Sequence, residues 1–488
     1  MELTFIGMFI ILVSIPIILG GGLEAMFILM LLCGPMNGSA ALYLSSSSIT
    51  PVHFVLALTT IRLLMSPPAF QRDNIPALLH NWPLVAFTFY GVVMAALAPR
   101  IFYHAADLPS LRGIKLRGLY DTVQLAPSMQ NITTSIYLIG TMVAAMVAHV
   151  LFSRPGNARL LVKGAIVIGW INLGIGILSV LAGPSDAPTF LRPVFELFRN
   201  GAYAQLNHEF KGYVRVTGLF PEASAYAAYT FTWFCFIFEC WLRDVQPRRT
   251  GPLALTMFVV LLISTSSSAY IGLTAFSVVL VIRLILSPTL ISSSKMGVLA
   301  AAGLAGLIGS IGAMVAVPHF AEGFGDMLEH MTVGKSTSTS GLQRAFWARK
   351  SVEAFEVSGG LGVGPGSLRS SGLFTAILGS SGVIGLSLFL THLYRVLRPL
   401  ASSTYTPVAD EDSSVGVAAA WAAILCVIPL GIAASSPDPG LDFGLLTGAA
   451  LALRNRAGSA LRTLPARLPY RPLPGPTPPA QAGAPRQA

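Results

Sequence analysis

Apolar residues in this chain fall in unbroken runs, not in alternation. The runs lie at 4–22, 25–45, 51–66, 82–98, 131–152, 164–182, 221–242, 251–264, 268–286, 298–317, 372–394, 414–434 and 440–453. Most approach the roughly 20 residues that a helix needs to cross a hydrocarbon core of about 30 Å. A membrane barrel would instead alternate apolar and polar positions. The pattern therefore predicts an all-α fold, a polytopic integral membrane protein with 12–13 transmembrane helices. The first two runs and the last define their helices least sharply, because Pro16, Gly34–Pro35 and short lengths interrupt them. The segment Thr4–Gly22 lacks a charged leader and a small-residue cleavage site, so it is expected to stay as a span. One multi-span domain is expected over 1–456. From 457 a basic, Pro-rich tail ending in "PLPGPTPPAQAGAPRQA" reads as disordered.

Composition supports this reading. Of 488 residues 53% are hydrophobic and 11% charged, against about a quarter charged in a soluble chain. The net charge of +10 is read as the positive-inside bias of a membrane protein. No basic-aromatic module points to nucleic acid. Cys33, Cys235, Cys240 and Cys426 sit inside apolar runs without a CxxC, and read as small core residues.

The basic residues set an orientation. Arg154, Arg159 and Lys163 share one short loop, and Arg243, Arg248 and Arg249 another. Arg283 and Lys295 flank a third; Arg395 and Arg398 open a fourth. Counted through the spans, all lie on one side with the tail, which the charge rule makes cytoplasmic. Three long loops, about 99–130, 183–220 and 318–371, fall on the opposite side. Loops of such length are functional or disordered. The span interiors read as nearly free of charge.

Two stretches in those loops carry candidate chemistry. In "RVTGLFPEASAYAAYTFTW", Pro221 suits a first helical turn and Glu222 the positive end of the helix dipole. In the plain reading Glu222 stabilises that end by about 0.3–1 kcal/mol, with Arg215 as its partner or a lipid headgroup's. In the sharper reading Glu222, Tyr226, Tyr229 and Trp233 share a face. A carboxylate desolvated at the membrane boundary then serves as a base above an aromatic stripe for sugar rings. The same stripe equally suits helix packing.

The second stretch is "SGLQRAFWARKSVEAFEVSGGLGVGPGSLRSSGLF". Ser340 and Gln343 predict a helix from Gly341. Ala345, Ala348, Val352 and Phe355 form its apolar face, Arg344 and Trp347 lie on another, and Arg349 pairs with Glu353. A Gly-rich turn with Gly364, Gly366 and Ser367 follows, then Arg369 and Ser371 at a helix N-terminus. That arrangement suits an anion, with Arg369 reaching phosphate oxygens. It also suits a plain turn. It is neither a Walker loop nor a dinucleotide fingerprint. Both stretches put arginines beside backbone or hydroxyl donors on one side, which points to a phosphate-bearing ligand at the membrane surface. No paired-Asp metal motif and no nucleotide-sugar signature occurs, so no metal or cofactor is expected.

"RVTGLFPEASAYA", "SGLQRAFW" and "GLGVGPGSLRSSGLFTAILGSSGVIGL", the last closed by Gly382 and Gly385, resemble signature regions of the O-antigen polymerase and O-antigen ligase superfamily. The likeness is strongest to its exopolysaccharide polymerase branch. "LISTSSSAYIGL" is a weaker match; the resemblance covers about 215–390. It implies a GT-C-like glycosyltransferase of the bacterial inner membrane acting at its periplasmic face. Its substrate would be an undecaprenyl-diphosphate-linked oligosaccharide, with a chain-length regulator and export machinery as further partners. It implies diphosphate binding by Arg215 and Arg344, and by Arg369. The ligase branch carries a histidine segment that this chain lacks. His330 stands in that loop before Lys335, a further substrate-binding candidate, in different surroundings. Glu222 is the candidate base, with His330 behind it. A ligase and a transporter or flippase are the alternative functions.

Overall fold

The computed structural model describes residues 2–44, 47–66, 72–109, 120–182, 191–201, 209–210, 213–264, 266–286, 292–316, 339–405 and 410–463. Sixteen helices lie among them, and each of the thirteen apolar runs falls on one. In chain order these are α1 (Phe5–Gly20), α2 (Leu23–Cys33), α3 (Pro51–Leu64), α4 (Asn74–His80), α5 (Trp82–Ile101), α6 (Met129–Phe152), α7 (Ala158–Leu181) and α8 (Leu191–Phe198). There follow α9 (Ala223–Leu242), α10 (Pro247–Ile263), α11 (Ser267–Leu286), α12 (Ser293–Ala316), α13 (Thr339–Val357), α14 (Leu373–Tyr405), α15 (Glu411–Ala433) and α16 (Leu441–Thr463). Among the described residues six helices are long and apolar enough to cross a membrane: α5, α6, α7, α11, α14 as far as Arg398, and α15. The chain is thus an all-α polytopic membrane protein. The helices at the first three runs are too short for this, at 16, 11 and 14 residues. The last helix continues to Thr463, past the boundary expected at 456.

The three long loops and the α2–α3 connection meet at one end of the bundle. Strands β1 (Glu2–Leu3), β2 (Leu42–Leu44) and β3 (Ser47–Ile49) form an antiparallel sheet in that order, with Glu2 opposite Tyr43 and Leu42 opposite Ile49. The Gly38 N–H donates to Leu219 O at 2.8 Å and the Gly201 N–H to Gly38 O at 3.0 Å. Gln130 Nε2 donates to Ser47 Oγ at 3.0 Å. The Arg369 N–H reaches Pro109 O at 2.7 Å, and the Ser370 N–H reaches Ser435 O at 3.1 Å. The loops are less irregular than their composition predicts. They hold α8, α13 and two short hairpins, β4 (Asp107–Leu108) with β5 (Val123–Gln124) and β6 (Glu209–Phe210) with β7 (Tyr213–Val214).

Basic residues gather at the far end. Arg159 at the start of α7 pairs with Glu411 at the start of α15 at 2.7 Å. Lys295 Nζ donates to Leu242 O at 3.0 Å and pairs with Asp244 at 2.8 Å. The helix interiors are less free of charge than the sequence reading expects. Glu239 in α9 is fully buried and forks onto Arg283 of α11, with Arg243 3.5 Å away. Arg283 also stacks over Trp421 at 4.1 Å. The two arginines compensate the buried carboxylate; removing them would leave an unpaired buried charge, which is strongly destabilising.

Two departures from regular helix shape the other end. Helix α14 breaks at Gly382, whose φ of 60° and ψ of −161° suit glycine alone. Helix α16 runs beside α6 with Gly444 against the Thr141 carbonyl and Gly448 against that of Ala145, a small-residue contact that lets backbones approach. That register sets Leu441 level with Leu138, nine residues below the start of α6 at Met129. At 1.5 Å per residue this is about 14 Å. The chain leaving α15 at Ala433 thus turns back down into the bundle before α16 begins.

Candidate functional site

Arg215 lies in the segment leading from β7 to α9. Arg199, which follows α8, braces that segment: its guanidinium donates to Gly218 O at 3.0 Å and to the Thr217 hydroxyl. Burial lowers Arg199 to about 10. Gly218 has φ +53°, with the Tyr226 ring 3.0 Å from where a Cβ would sit, so glycine fits both the turn and the close contact. Arg199 escaped the sequence reading because it follows a short amphipathic stretch with no motif around it.

Arg215 is half-buried. Burial holds its guanidinium below the usual arginine range, Glu222 opposes that shift, and the Arg344 guanidinium adds to it. Residues 129 positions apart in sequence thus act on each other. Arg344, on α13, donates to Ile432 O at the end of α15 at 3.4 Å. The arginines of the two sequence stretches share one electrostatic neighbourhood at one end of the bundle.

Other predicted residues sit differently. Helix α9 starts at Ala223 with Glu222 as its N-cap, so Pro221 precedes the helix. Glu222 is exposed, not desolvated, and accepts from the Ser224 hydroxyl. Tyr226 and Trp233 are fully buried. Tyr226 faces α7, donating to Asn172 O at 3.4 Å, and only Tyr229 of the stripe lines a cavity. Large rings on a helix with neighbours on several sides bury themselves in the helix contacts. His330 and Lys335 lie outside the described residues.

Helix α13 turns a different face inward from the expected one. Ala345 and Val352 are exposed, whereas Ser351, Ala354 and Ser358 are buried. Gly379 of α14 packs against Ser351, and only small side chains permit that approach. Glu353 pairs with Lys350 at 2.8 Å, not with Arg349, which is exposed.

The Gly-rich turn packs into the bundle as a wedge. The Val363 and Gly364 N–H groups donate to Gly379 O and Ser380 O at 3.0 and 2.8 Å, and the Val383 N–H donates to Gly360 O at 3.0 Å. These bonds satisfy the groups freed by the break in α14. The Gly362 N–H goes to Ser358 Oγ at 2.8 Å and the Ser367 N–H to Gly364 O at 3.2 Å. A Cβ on Gly364 would meet Met94 O, and one on Gly366 would meet Gln130 O. Asn131 Nδ2 donates to both Pro365 O and Ser367 Oγ at 2.8 Å. The N–H groups of Gly362, Val363, Gly364 and Ser367 thus bond within the protein and are not free for a phosphate. Ser371 is half-buried, and Arg369 stacks over the Trp347 ring at 4.2 Å.

The recessed turn after α15 holds what the sequence reading missed. A cavity of about 260 Å³ lies there, lined by Asn37, Thr50, His53, Tyr137, Tyr229, Thr232, Asp438 and Asp442 among others. Ala225, Ala228, Tyr229 and Thr232 line it from α9. Their spacing continues from Glu222 down one helix face, so Glu222 stands above the cavity. Asp438 accepts from the Thr141 hydroxyl at 2.7 Å. Burial raises its carboxyl above the usual range, while Thr141 and the Gly440 N–H act the other way. The signal was present as "SSPDPGLD" between two apolar runs, where two prolines and two aspartates interrupt what reads as one hairpin of helices. Among the described residues no three His, Cys, Asp or Glu side chains group as metal ligands do.

No protein-family model matches this chain, and no curated protein is detectably similar to it.

Proposed function

We propose that the protein polymerises undecaprenyl-diphosphate-linked oligosaccharide repeat units into a cell-surface polysaccharide. In this reading the fold is GT-C-like, the protein sits in a bacterial inner membrane, and the loop-bearing end faces the periplasm. A chain-length regulator and export machinery would be its partners. The observation that carries the reading is the electrostatic coupling of Arg215 to Arg344, from two sequence-distant loops, in a bundle that also holds a cavity lined by carboxylates. Two fixed guanidiniums suit a diphosphate, whose negative charge grows as it leaves. An acceptor hydroxyl loses its proton and attacks the anomeric carbon of the donor sugar. The bond to the diphosphate breaks, and undecaprenyl diphosphate departs held by the arginines. In this reading Glu222, exposed and electrostatically coupled to Arg215, takes the proton.

Arg215→Ala and Arg344→Ala should each lower long-chain polymer about 10²–10³-fold, the usual cost of a lost transition-state donor. Lipid-linked repeat units should accumulate while the protein still inserts. Full-length polymer from both variants would overturn the reading. A ligase would instead move a finished glycan to a new acceptor, which analysis of the products separates from longer chains on the same lipid.

One observation favours a transporter: the break in α14, since transporters bind cargo at broken helices. The Gly-rich turn, however, already occupies that break and uses the carbonyls of Gly379 and Ser380. Counterflow of labelled lipid-linked oligosaccharide in proteoliposomes, without chain growth, would restore the transporter reading.

A further inference from the structure

The recessed cavity has chemistry that the diphosphate reading does not use. Among the described residues no arginine or lysine lines it, and a phosphate is therefore a poor occupant. Its walls combine the rings of Tyr137, Phe220, Tyr229 and Phe443 with the carboxylates of Asp438 and Asp442. Aromatic faces suit the C–H faces of a sugar, and carboxylates accept from its hydroxyls. Asp438 lies in the turn between the buried Pro437 and Pro439, Asp442 lies in the first turn of α16, and both are half-buried. The volume of about 260 Å³ lies just below the roughly 300–1,000 Å³ of drug-sized sites, which fits one ring and not a chain.

A second observation also points to a ligand. Tyr229 is only 7% exposed, yet its hydroxyl has no partner of normal hydrogen-bond geometry among the described residues. Gly34 lies beside it, where even a Cβ would come within 2.7 Å of that oxygen. His53 shares a 2.7 Å hydrogen bond with the Thr50 hydroxyl through Nδ1, and its Nε2 likewise lacks a partner among the described residues. Buried polar groups normally find partners. Here two of them border one cavity.

We propose that this cavity binds one neutral sugar ring, its hydroxyls held by Asp438, Asp442 and Tyr229, and that it is the acceptor subsite of the polymerase. The acceptor role rests on the function proposed above; the binding itself does not. A ring seated there would present a hydroxyl upward to Glu222 and the arginine pair. The carboxylates would repel an acidic sugar.

The test uses the full chain in lipid nanodiscs, with glucose, galactose, mannose and N-acetylglucosamine as probes, read by saturation-transfer NMR. At least one neutral sugar should bind with a dissociation constant on the order of 1–10 mM. Asp438→Asn and Asp442→Asn should each weaken it about 10-fold. Ala228→Leu, which fills the cavity without changing a polar group, should abolish it while the protein still elutes as a single species. Glucuronate should not bind, and Arg215→Ala should leave sugar binding intact even as polymer is lost. Absence of transfer from every neutral probe, or glucuronate binding as well as glucose, would overturn the site. So would displacement of bound sugar by calcium or sodium, since the carboxylates would then serve a cation. Sugar binding lost in Asp442→Asn with polymer length unchanged would overturn the acceptor role alone. Arg215→Ala and Arg344→Ala strains that still make polymer would sink the polymerase reading and leave the sugar site standing.

Discussion

The turn at 360–367 and the turn at 434–440 are both irregular backbone set into a helical bundle, yet they do opposite things. The first is rich in glycine, and its N–H groups at Gly362, Val363, Gly364 and Ser367 bond to protein. Its N–H groups close the break in α14, and its glycine Cα atoms press against Met94 and Gln130. The second bends down beside α6 and leaves Asp438 and Asp442 facing open volume. Gly440 there has φ +90° with nothing within 4 Å of its Cβ position. Irregular backbone inside a membrane bundle must either be satisfied by protein or line a cavity, and this molecule holds one of each. A glycine-rich run is therefore a poor guide to a ligand site until its N–H groups have been followed to their partners.

Substitutions can break or sharpen that contrast. The largest effect is expected for Gly382→Ala. A Cβ there would strike Gly360 O, and the backbone conformation is closed to alanine. The loss should exceed about 3 kcal/mol, seen as absence of monodisperse protein after extraction. A folded Gly382→Ala protein with an unchanged melting temperature would contradict the wedge. Asn131→Ala comes next. It removes two hydrogen bonds to the turn and half of the capping box with Ser128, at about 1–3 kcal/mol. A fall in the thermal midpoint with substrate affinity unchanged would mark Asn131 as a structural clamp. The smallest loss is expected for Gly440→Ala. It meets no neighbour and should cost only the left-handed backbone penalty, about 1–2 kcal/mol. A loss as large as that of Gly382→Ala would erase the distinction between the turns.

Much of the bundle was legible from the residues. A helix formed at every apolar run, because an unbroken run of this polarity satisfies its backbone in lipid only as a helix. The parity of the spans put Arg215 and Arg344 on one side, and the two guanidiniums do influence each other electrostatically. Burial faces were less accessible. Helix α13 was assigned an apolar face through Ala345 and Val352, but packing selected the small residues Ser351 and Ala354. Close approach to Gly379 outweighs the hydrophobicity of side chains that the neighbouring helix cannot accommodate. The aromatic stripe on α9 was divided for a related reason: Tyr226 went to the contact with α7 and Tyr229 to the cavity.

The sequence alone determined that this chain is a helical membrane protein and where its helices lie. Those properties follow from local runs of apolar residues and from counting helices, and neither requires knowing which surfaces touch. Only the tertiary structure decided that the glycines serve packing and that the aspartates line a cavity. The deciding contact is the seating of Gly444 and Gly448 on the backbone of α6, which lowers the start of α16 by about 14 Å. A register between helices arises from side-chain volumes on two partners at once, and no single stretch of sequence contains it.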